Sequence, residues 1–386
     1  MKQGWEIKKL GEVCNIINGF AFKSNLFTNE GDDILRISNI QNGYVDLTDI
    51  AHFNKTDYPK VNLEKYVVLE DDIVVALSGA TTGKFGINKT GKKLYLNQRV
   101  AICRENTLIL NHLYLLYYLR MQAKSFLESA EGVAQPNLST EQMKQFDIPI
   151  PPLSEQEKIV AELDCLSGII ERKREQLKQL DALAQSIFYQ MFGDPITNEK
   201  GWDILPFNEV ADVVGGSTPK TNIEEYWNGD NYWATPAELH GERYIYSTER
   251  SITDNAVNKT HLTLLPIGTV LLSSRAPIGK VCITRVPMYC NQGFKNIICS
   301  DRLHCEYVYQ FLFEKTEYLN SLGTGATFKE ISKRVVEQIT IPVPPMRLQQ
   351  EFATKIEAIE KQKELIKQSI TETEELFNSR MDYYFG

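Results

Sequence analysis

The strongest constraint on the fold of this chain is an internal repeat of nearly 200 residues. Short landmarks recur in the same order, and the offset shrinks from 197 between Trp5 and Trp202 to 193 between Ile148 and Ile341. The matched segments are Gly4-Trp5-Glu6-Ile7 with Gly201-Trp202-Asp203-Ile204, Gly83-Lys84 with Gly279-Lys280, Asn97-Gln98 with Asn291-Gln292, and Ile148-Pro149-Ile150-Pro151-Pro152 with Ile341-Pro342-Val343-Pro344-Pro345. A solenoid unit would recur every ~20–50 residues. The repeat therefore indicates a duplicated domain together with its connector.

Length and composition favour two or three globular domains with real cores. The chain has 386 residues, of which 42% are hydrophobic, against roughly 100–200 residues in an ordinary domain. The sequence contains no run of ~18 apolar residues, so no membrane span is expected. The first residues lack the apolar core of a signal peptide. The seven cysteines form no C-x-x-C pair. We therefore expect free thiols in a reducing cytoplasm.

The net charge of −8 argues at first against a nucleic-acid ligand. The charge is uneven, however, because residues 1–153 contain equal numbers of acidic and basic side chains. A neutral domain can still present a basic groove, since the local potential governs contact with phosphates. The negative net charge of the chain suggests that a partner protein would contribute to any tight binding of DNA.

Two long segments have helical periodicity. The first runs from about Ser154 to Met191, with a capping box predicted at Ser154 and Glu157, and the second from about Met346 to Tyr384. Each has one apolar stripe and a face of mixed charge, so neither is stable alone in water. We expect them to pair as an antiparallel coiled coil that relates the two copies by a pseudo-two-fold axis. The alternative is that each helix packs on its own domain.

The regions between these helices are rich in strands and turns, which predicts an α+β fold with two similar α/β domains. The predicted divisions are 1–150, 151–194, 195–345 and 346–386, with the second and fourth being the long helices. Val67–Leu69, Asp71–Leu77 and Thr269–Leu272 are predicted to be buried strands. Short amphipathic helices are predicted at Leu113–Leu119 and Tyr307–Phe313. The Ile-Pro-x-Pro-Pro segments are predicted to be extended, because proline disfavours helix in the residue before it.

Motifs for catalysis, metal binding and nucleotide binding are missing from the sequence. The segment Ser78–Phe85 and its counterpart Ser274–Val281 both lack the first Gly and the final Ser or Thr of a phosphate-binding loop. Gly83 and Gly279 are instead predicted to form tight turns. The five histidines share no metal-ligand spacing. No adenine-methyltransferase or nuclease motif occurs either, so we expect no catalysis, metal or cofactor in this chain.

Polar residues at matched positions of the two copies are the candidates for a DNA-binding surface. Arg suits guanine, and Asn or Gln suits adenine, in the major groove, whereas Lys, Ser and Thr suit phosphates. Taken singly, each is more often an ordinary loop residue. The candidates are Lys23, Arg36, Ser38, Asn39, Ser78, Thr81, Thr82, Lys84, Asn97, Gln98 and Arg99 in the first copy, and Thr218, Lys220, Thr235, Ser273, Ser274, Arg275, Lys280, Asn291, Gln292 and Lys295 in the second.

The ordered set of motifs resembles the specificity subunit of type I restriction–modification systems. The segments that carry this resemblance are Trp5–Val13, Ile34–Ile40, Trp233–Leu239, Leu265–Lys280, Asn291–Lys295, and each Ile-Pro-x-Pro-Pro followed by Gln156 or Gln349. The resemblance covers the whole chain. No single motif is decisive, but the set occurring twice in order is specific.

This resemblance implies two target-recognition domains, each reading one half of a split, asymmetric DNA site. It also implies that the helix pair fixes the gap between the half-sites and docks two methyltransferase subunits, to which a motor–nuclease subunit can bind. S-adenosylmethionine is then expected in the partner methyltransferase, not in this chain. The first copy has Gly79 where the family's Ser-Arg-Ala-Pro pattern has the arginine that is Arg275 in the second, so the two half-sites should be read with different side chains.

Three alternatives remain open at this point. A related system with a fused methyltransferase–nuclease partner would use a similar specificity chain. An enzyme that itself hydrolyses nucleotide or methylates DNA would bind its substrate nucleotide directly. A coiled-coil scaffold with no DNA role would show unorganised surface charge around Lys84 and Lys280.

Overall fold

The computed structural model describes residues 5–41, 43–79, 82–130, 137–275, 277–324 and 329–386. The chain divides into two compact units. Unit 1 comprises Met1–Lys173 with Ser369–Gly386, and unit 2 comprises Arg174–Gln368. Each unit therefore contains a part of each long helix as well as a strand-rich region. The division at residues 150, 194 and 345 stays a prediction.

Unit 1 is built on two five-stranded sheets and one short strand pair. Its strands are β1 Glu6–Lys9, β2 Cys14–Asn18, β3 Phe27–Thr28, β4 Asp32–Leu35, β5 Gly43–Tyr44, β6 Ala51–Phe53, β7 Val67–Val68, β8 Ile73–Ala76, β9 Phe85–Ile87, β10 Leu94–Leu96, β11 Val100–Glu105 and β12 Asp147–Ile150, and its short helices are α1 Leu10–Val13, α2 His112–Ala130 and α3 Thr140–Lys144. The sheets have the orders β2-β11-β8-β9-β5, β3-β6-β4-β10-β7 and β1-β12. All four residues of β8 are buried, as its continuous apolar sequence predicts.

Unit 2 repeats this plan with a smaller second sheet. The long helices are α4 Leu153–Phe192 and α10 Met346–Phe385; the other elements are β13 Asp203–Pro206, α5 Phe207–Val210, β14 Ala211–Gly215, β15 Trp227–Ala234, β16 Tyr244–Ile245, β17 Ser251–Ile252, α6 Asp254–Thr260, β18 Val270–Leu272, β19 Val281–Thr284, β20 Tyr289–Cys290, β21 Lys295–Cys299, α7 Cys305–Glu314, α8 Thr316–Leu322, α9 Lys333–Glu337 and β22 Thr340–Val343. The sheets have the orders β14-β21-β18-β19-β16, β17-β15-β20 and β13-β22.

The sheet topology confirms the internal repeat and the α+β class. In both units the first sheet has three antiparallel pairings followed by one parallel pairing, β5 with β9 in unit 1 and β16 with β19 in unit 2. The first and last landmarks of each copy also pair with each other, because β1 pairs with β12 and β13 with β22. The Ile-Pro-x-Pro-Pro segments are thus extended, as predicted.

The two long helices run antiparallel to each other within each unit. In unit 1, Glu162 forms an ion pair with Arg380, and Lys173 Nζ lies 2.6 Å from Ser369 Oγ. In unit 2, Lys363 Nζ lies 2.7 Å from Asp181 Oδ1. Residue numbers rise along one helix as they fall along the other, which defines the antiparallel pairing.

The paired long helices also pack on the strand-rich region of each unit. In unit 2, Phe188 of α4 stacks on Tyr307 of α7 with ring centroids 5.7 Å apart, and it also contacts Phe352 of α10 at 5.8 Å. In unit 1, the Tyr117 hydroxyl donates to Asp164 Oδ1 at 2.6 Å. The two packing arrangements that the sequence left as alternatives therefore coexist.

The predicted capping box at Ser154 is wrong, because α4 begins at Leu153. The carbonyl of Pro152 accepts the N–H groups of Glu155 and Gln156 at 2.8 and 3.0 Å. The residue at the N-cap position supplies the carbonyl that accepts the first hydrogen bond of a helix. The N-cap residue of α4 is therefore Pro152 and not Ser154.

The predicted helix at Leu113–Leu119 is also too short, since α2 continues to Ala130. Helix-forming residues follow Leu119, and Phe126 is fully buried against Phe146 with ring centroids 4.6 Å apart. In unit 2 the equivalent path breaks into α7 and α8. Tertiary burial of one aromatic side chain thus extends the helix in unit 1.

Candidate nucleic-acid interface

Each unit presents its Asn-Gln dipeptide in a turn that lies against the end of a neighbouring strand. In unit 1 the N–H of Gln98 donates to Phe20 O at 2.9 Å. A Cβ atom at Gly19 would lie 2.0 Å from Asn97 O, and one at Gly216 would lie 2.1 Å from Asn291 O. Real Cβ atoms do not approach backbone oxygen so closely, so glycine is required at both positions.

The unit 1 polar edge consists of Ser78, Asn97, Gln98 and Arg99. Backbone hydrogen bonds bring these residues together, since Leu77 N donates to Arg99 O at 2.9 Å and Asn97 N donates to Leu35 O at 3.0 Å. Gln98 and Arg99 are exposed. Arg36 follows Leu35, but its Nη2 donates to Asp49 O at 3.0 Å.

The unit 2 polar edge consists of Thr218, Ser274, Arg275, Asn291, Gln292 and Lys295, and here the side chains contact each other. The Thr218 hydroxyl donates to Gln292 Oε1. Lys295 Nζ donates to Gln292 O at 3.3 Å and to Ser274 Oγ at 3.2 Å. These contacts connect the exposed Gln292 to Thr218, Lys295 and the buried Ser274 in one hydrogen-bonded group.

Equivalent backbone hydrogen bonds align the two edges and correct one sequence comparison. Ser274 N donates to Gly293 O at 2.8 Å and Ile331 N to Ser274 O at 2.9 Å, and Leu77 makes the same pair of contacts with Arg99 and Leu138. The next residues form the bridges Arg275–Glu330 and Ser78–Asn137. Arg275 is therefore the counterpart of Ser78 and not of Gly79. The loop after it is one residue shorter in unit 2, because the matched Gly-Lys pair begins five residues after Ser78, at Gly83, but four residues after Arg275, at Gly279.

The exposed arginine of each edge comes from a different segment of the chain. Unit 1 carries it at Arg99, where the unit 2 counterpart is Gly293, and unit 2 carries it at Arg275, where the unit 1 counterpart is Ser78. Arg99 and Arg275 are both exposed. The two units thus place the same chemical group at different points of one shared backbone arrangement.

Several predicted site residues have internal roles in the structure. Asn39 is buried, and its Nδ2 donates to Asp46 O and Asp49 O at 3.0 Å each. Lys280 Nζ donates to Leu239 O at 2.8 Å. The remaining buried side chains also donate to backbone carbonyls, namely Thr82 to Gly79, Ser273 to Pro277 and Ser274 to Gly293. The polar groups of these residues therefore make hydrogen bonds within the protein.

The other predicted residues lie at the surface or in turns. Thr235 precedes the short helix Pro236–Glu238, and its N–H donates to the Glu238 carboxylate. Asn291 Oδ1 accepts from Gly293 N at 2.8 Å. Four further predicted residues are exposed, and within the part of the chain that the structure describes no side-chain contact joins them to either edge, namely Lys23, Ser38, Lys84 and Lys220. Thr81 lies outside the described residues.

Sequence reasoning missed Glu330, which contacts both cations of the unit 2 polar edge. Its Oε2 lies 3.1 Å from Arg275 Nε and its Oε1 lies 3.3 Å from Lys295 Nζ. Burial alone would raise the pKa of Glu330, but the hydrogen bonds from Lys295 and Arg275 outweigh burial and lower that pKa. A signal was present, because Asn137-Leu138-Ser139 matches Glu330-Ile331-Ser332 at the offset of 193 found for Ile148 and Ile341.

A second missed group supports the segment that carries Thr218 and Lys220. The Arg250 guanidinium lies 3.6 Å from the Trp227 ring centroid and 5.4 Å from that of Trp233. Both indoles donate to this segment, Trp233 Nε1 to Ser217 O at 3.0 Å and Trp227 Nε1 to Lys220 O at 3.3 Å. Hydrogen bonds from two tryptophan side chains therefore support this segment.

The described residues form no candidate metal site or membrane-spanning helix. There is no group of three or more His, Cys, Asp and Glu side chains arranged to hold a metal ion in that part of the chain. No helix formed by those residues is long and apolar enough to cross a membrane. The seven cysteines are free thiols.

Comparison with known proteins identifies the family. Residues 2–181 and 199–375 match the type I restriction modification DNA specificity domain, so the match covers both copies of the repeat. This chain belongs to that family. Its role is that of a DNA sequence-specificity component of a type I restriction–modification system.

Similar proteins include specificity subunits from Methanocaldococcus jannaschii and Escherichia coli. The type I restriction enzyme MjaIX specificity subunit of M. jannaschii is 45% identical over 159 residues, which are 40% of this chain and only 37% of that relative. The putative MjaX specificity subunit of the same organism is 26% identical over 385 residues, covering 93% of this chain and 87% of the relative. The E. coli EcoAI specificity subunit is 33% identical over 203 residues, 48% of this chain and 33% of the relative.

Solved structures show the same fold over the whole chain. A chain from a type I restriction–modification structure concerned with complex assembly and conformational transition covers 100% of this chain and 98% of its own length, with a TM-score of 0.65 and 18% identity. The S subunit of such a system from M. genitalium covers 99% of this chain and 96% of its own length, with a TM-score of 0.59 and 13% identity. At these identities the likeness concerns the fold alone.

Proposed function

We propose that this specificity chain recognises a bipartite, asymmetric DNA site, with one half read by each polar edge. The observation that carries this proposal is that two edges with the same backbone hydrogen bonds present different side chains. Arg275 with Glu330 stands in unit 2 where Ser78 with Asn137 stands in unit 1. Arginine discriminates guanine in the major groove, whereas serine suits either bases or phosphates. One scaffold with two side-chain sets therefore reads two unlike half-sites.

The chain acts in this proposal without catalysis of its own. It docks two methyltransferase subunits through its long helices, and through them a motor–nuclease subunit, all within the cytoplasm. S-adenosylmethionine binds to the partner methyltransferase, which takes the target adenine out of the helical stack. The long helices, which contribute to both units, set the number of base pairs between the half-sites.

Within each unit, we assign the predicted residues to base or phosphate contacts by their chemistry and exposure. Arg99, Gln98, Arg275 and Gln292 are exposed and carry donors or acceptors suited to base edges. The exposed lysines Lys23, Lys84 and Lys220 suit phosphates, which fix the register without specifying sequence. The buried Ser274 supports the unit 2 edge from within, because its hydroxyl contacts Gly293 O and Lys295 Nζ.

The Arg275→Ala variant tests this proposal by footprinting. The complex of the full chain with its methyltransferase subunits should protect two separate stretches of its recognised duplex. In the variant, protection and base preference should be lost at one half and remain at the other. Equal loss of both halves by a variant with an unchanged unfolding temperature would contradict recognition by separate units.

A further inference from the structure

Glu330 is held in a fixed position beside Arg275 by the backbone. Its N–H donates to Thr324 O at 3.0 Å, and its carbonyl accepts from Thr324 N at 3.1 Å. It also forms a bridge with Arg275, and the next residue donates to Ser274 O at 2.9 Å. The carboxylate is therefore anchored on the same backbone ladder that carries the arginine.

The carboxylate joins two cations of different exposure. Lys295 is largely covered, with 13% of its side chain exposed, whereas the side chain of Arg275 is 47% exposed and that of Glu330 is 36% exposed. Lys295 also donates to Ser274 Oγ at 3.2 Å and to Gln292 O at 3.3 Å. Glu330 thus links the outward-facing arginine to a lysine that is itself fixed by two further contacts.

The contact with Arg275 leaves the end of the guanidinium available. Glu330 accepts from Nε, and the described residues supply no hydrogen-bond partner for either terminal nitrogen. Two terminal N–H donors of arginine match the O6 and N7 acceptors of guanine. An arginine anchored through Nε loses less side-chain freedom when it binds, because its orientation is already restricted.

The unit 1 polar edge lacks this arrangement. Asn137 stands at the position of Glu330, and Ser78 stands at the position of Arg275. The exposed arginine of that edge, Arg99, comes from the turn after Asn97 and Gln98, where no carboxylate contact with it occurs among the described residues. Preordering of the arginine by a carboxylate therefore distinguishes unit 2 from unit 1.

We propose that Glu330 is a specificity-determining positioning residue of the half-site read by unit 2. It holds Arg275 in the orientation that contacts guanine, and its negative charge opposes binding where that contact is not made. This proposal rests on the proposed function, because it requires that unit 2 reads DNA.

Two opposite effects of removing Glu330 follow from this role. A carboxylate close to the DNA phosphates lowers affinity for every sequence, so its loss raises binding to random DNA. Loss of the anchor also releases Arg275, so discrimination falls in the half-site that it reads. A residue acting only as a local negative charge would produce the first effect without the second.

The experiment uses the full chain with its methyltransferase subunits and a pool of duplexes of random sequence. Bound duplexes are sequenced, and the base preference at each position gives the two half-sites separately. Glu330→Ala should bind the unselected pool more tightly and should lose roughly fivefold or more of its discrimination in the unit 2 half-site. Glu330→Gln, which keeps a hydrogen-bond acceptor for Arg275, should lose less. The half-site read by unit 1 should remain unchanged in both variants.

Glu337→Gln is the matched control, since Glu337 is a glutamate of unit 2 that pairs with a single lysine, Lys333, at 3.5 Å. It should leave the preference at both half-sites unchanged. In the Arg275→Ala background, Glu330→Ala should cause no further loss of discrimination, because the two residues act through one contact.

Tighter binding to the pool with unchanged discrimination in Glu330→Ala would overturn the proposal, and so would an additive loss in the double variant. Failure of the proposed function looks different, since the wild-type complex would then select no pair of half-sites at all.

Discussion

At the scale of single residues, the two glycines beside the Asn-Gln turns, Gly19 and Gly216, leave no space for a side chain. Gly216→Ala should lower the free energy of unfolding by about 1–3 kcal/mol, as overpacking typically does, because its Cβ would lie 2.1 Å from Asn291 O. It should also weaken recognition of the unit 2 half-site. Gly215→Ala is the control, since a Cβ at Gly215 meets no atom within 4 Å. Chemical denaturation of the two variants measures the difference, and equal stabilities would show that the close approach is unimportant.

The residues of the polar edges were only partly predictable from the sequence. Asn97, Gln98, Asn291 and Gln292 were found because the repeat preserves them. Glu330 was missed because its counterpart is Asn137, so residue identity gave no match. The equivalence of Arg275 with Ser78 is defined by backbone hydrogen bonds. The loop that follows them differs in length by one residue, and an alignment of the two repeat sequences alone cannot locate such a shift.

At the scale of elements, one buried glutamine fixes the start of each long helix. Gln349 Nε2 donates to Arg302 O and Pro344 O at 2.9 and 2.8 Å, and its Oε1 accepts from His304 N at 2.7 Å. Gln156 makes the equivalent three contacts in unit 1. Because buried groups left without partners are costly, Gln349→Leu should lower the free energy of unfolding by about 2–4 kcal/mol. Its exposed neighbour provides the control variant Gln350→Leu, which should change stability by less than about 0.5 kcal/mol; similar losses in both variants would contradict this role.

In unit 2, Arg243, the residue before β16, forms ion pairs with Glu306 of α7 and Glu360 of α10. Glu306 is fully buried and lies 3.1 Å from both Arg243 Nη1 and Arg285 Nη2. Arg243→Ala leaves that carboxylate with one cation fewer and should cost about 3 kcal/mol or more. Arg347→Ala removes an exposed arginine paired with Glu351 at 3.2 Å, and it should cost less than about 1 kcal/mol. Thermal unfolding of the two variants separates these effects, and a small loss in Arg243→Ala would show that its ion pairs are dispensable.

The elements themselves were largely predictable, and the misses have physical causes. The long helices and the buried strands β7, β8 and β18 follow from apolar periodicity and turn residues, which act locally. The extension of α2 to Ala130 depends on the burial of Phe126, and the start of α4 depends on contacts that Gln156 makes with residues far along the chain. Long-range contacts of this kind leave no periodic signal in the sequence.

At the scale of the whole molecule, duplication followed by divergence explains why two units share a sheet topology and differ at their edges. The two exposed edge arginines provide a matched pair of variants. Arg99→Ala should reduce discrimination in one half-site and Arg275→Ala in the other, each by ~1–3 kcal/mol. Selection from random duplexes measures both, and loss in the same half-site for both variants would contradict the assignment of one half to each unit.

The most direct test of the central claim is to map methylated adenines in the DNA of cells that express this chain with its complete system. Two short half-sites of unlike sequence, separated by a constant number of unspecified base pairs, are the predicted result. A continuous recognition sequence, or two identical halves in inverted order, would contradict a chain that reads DNA through two different polar edges.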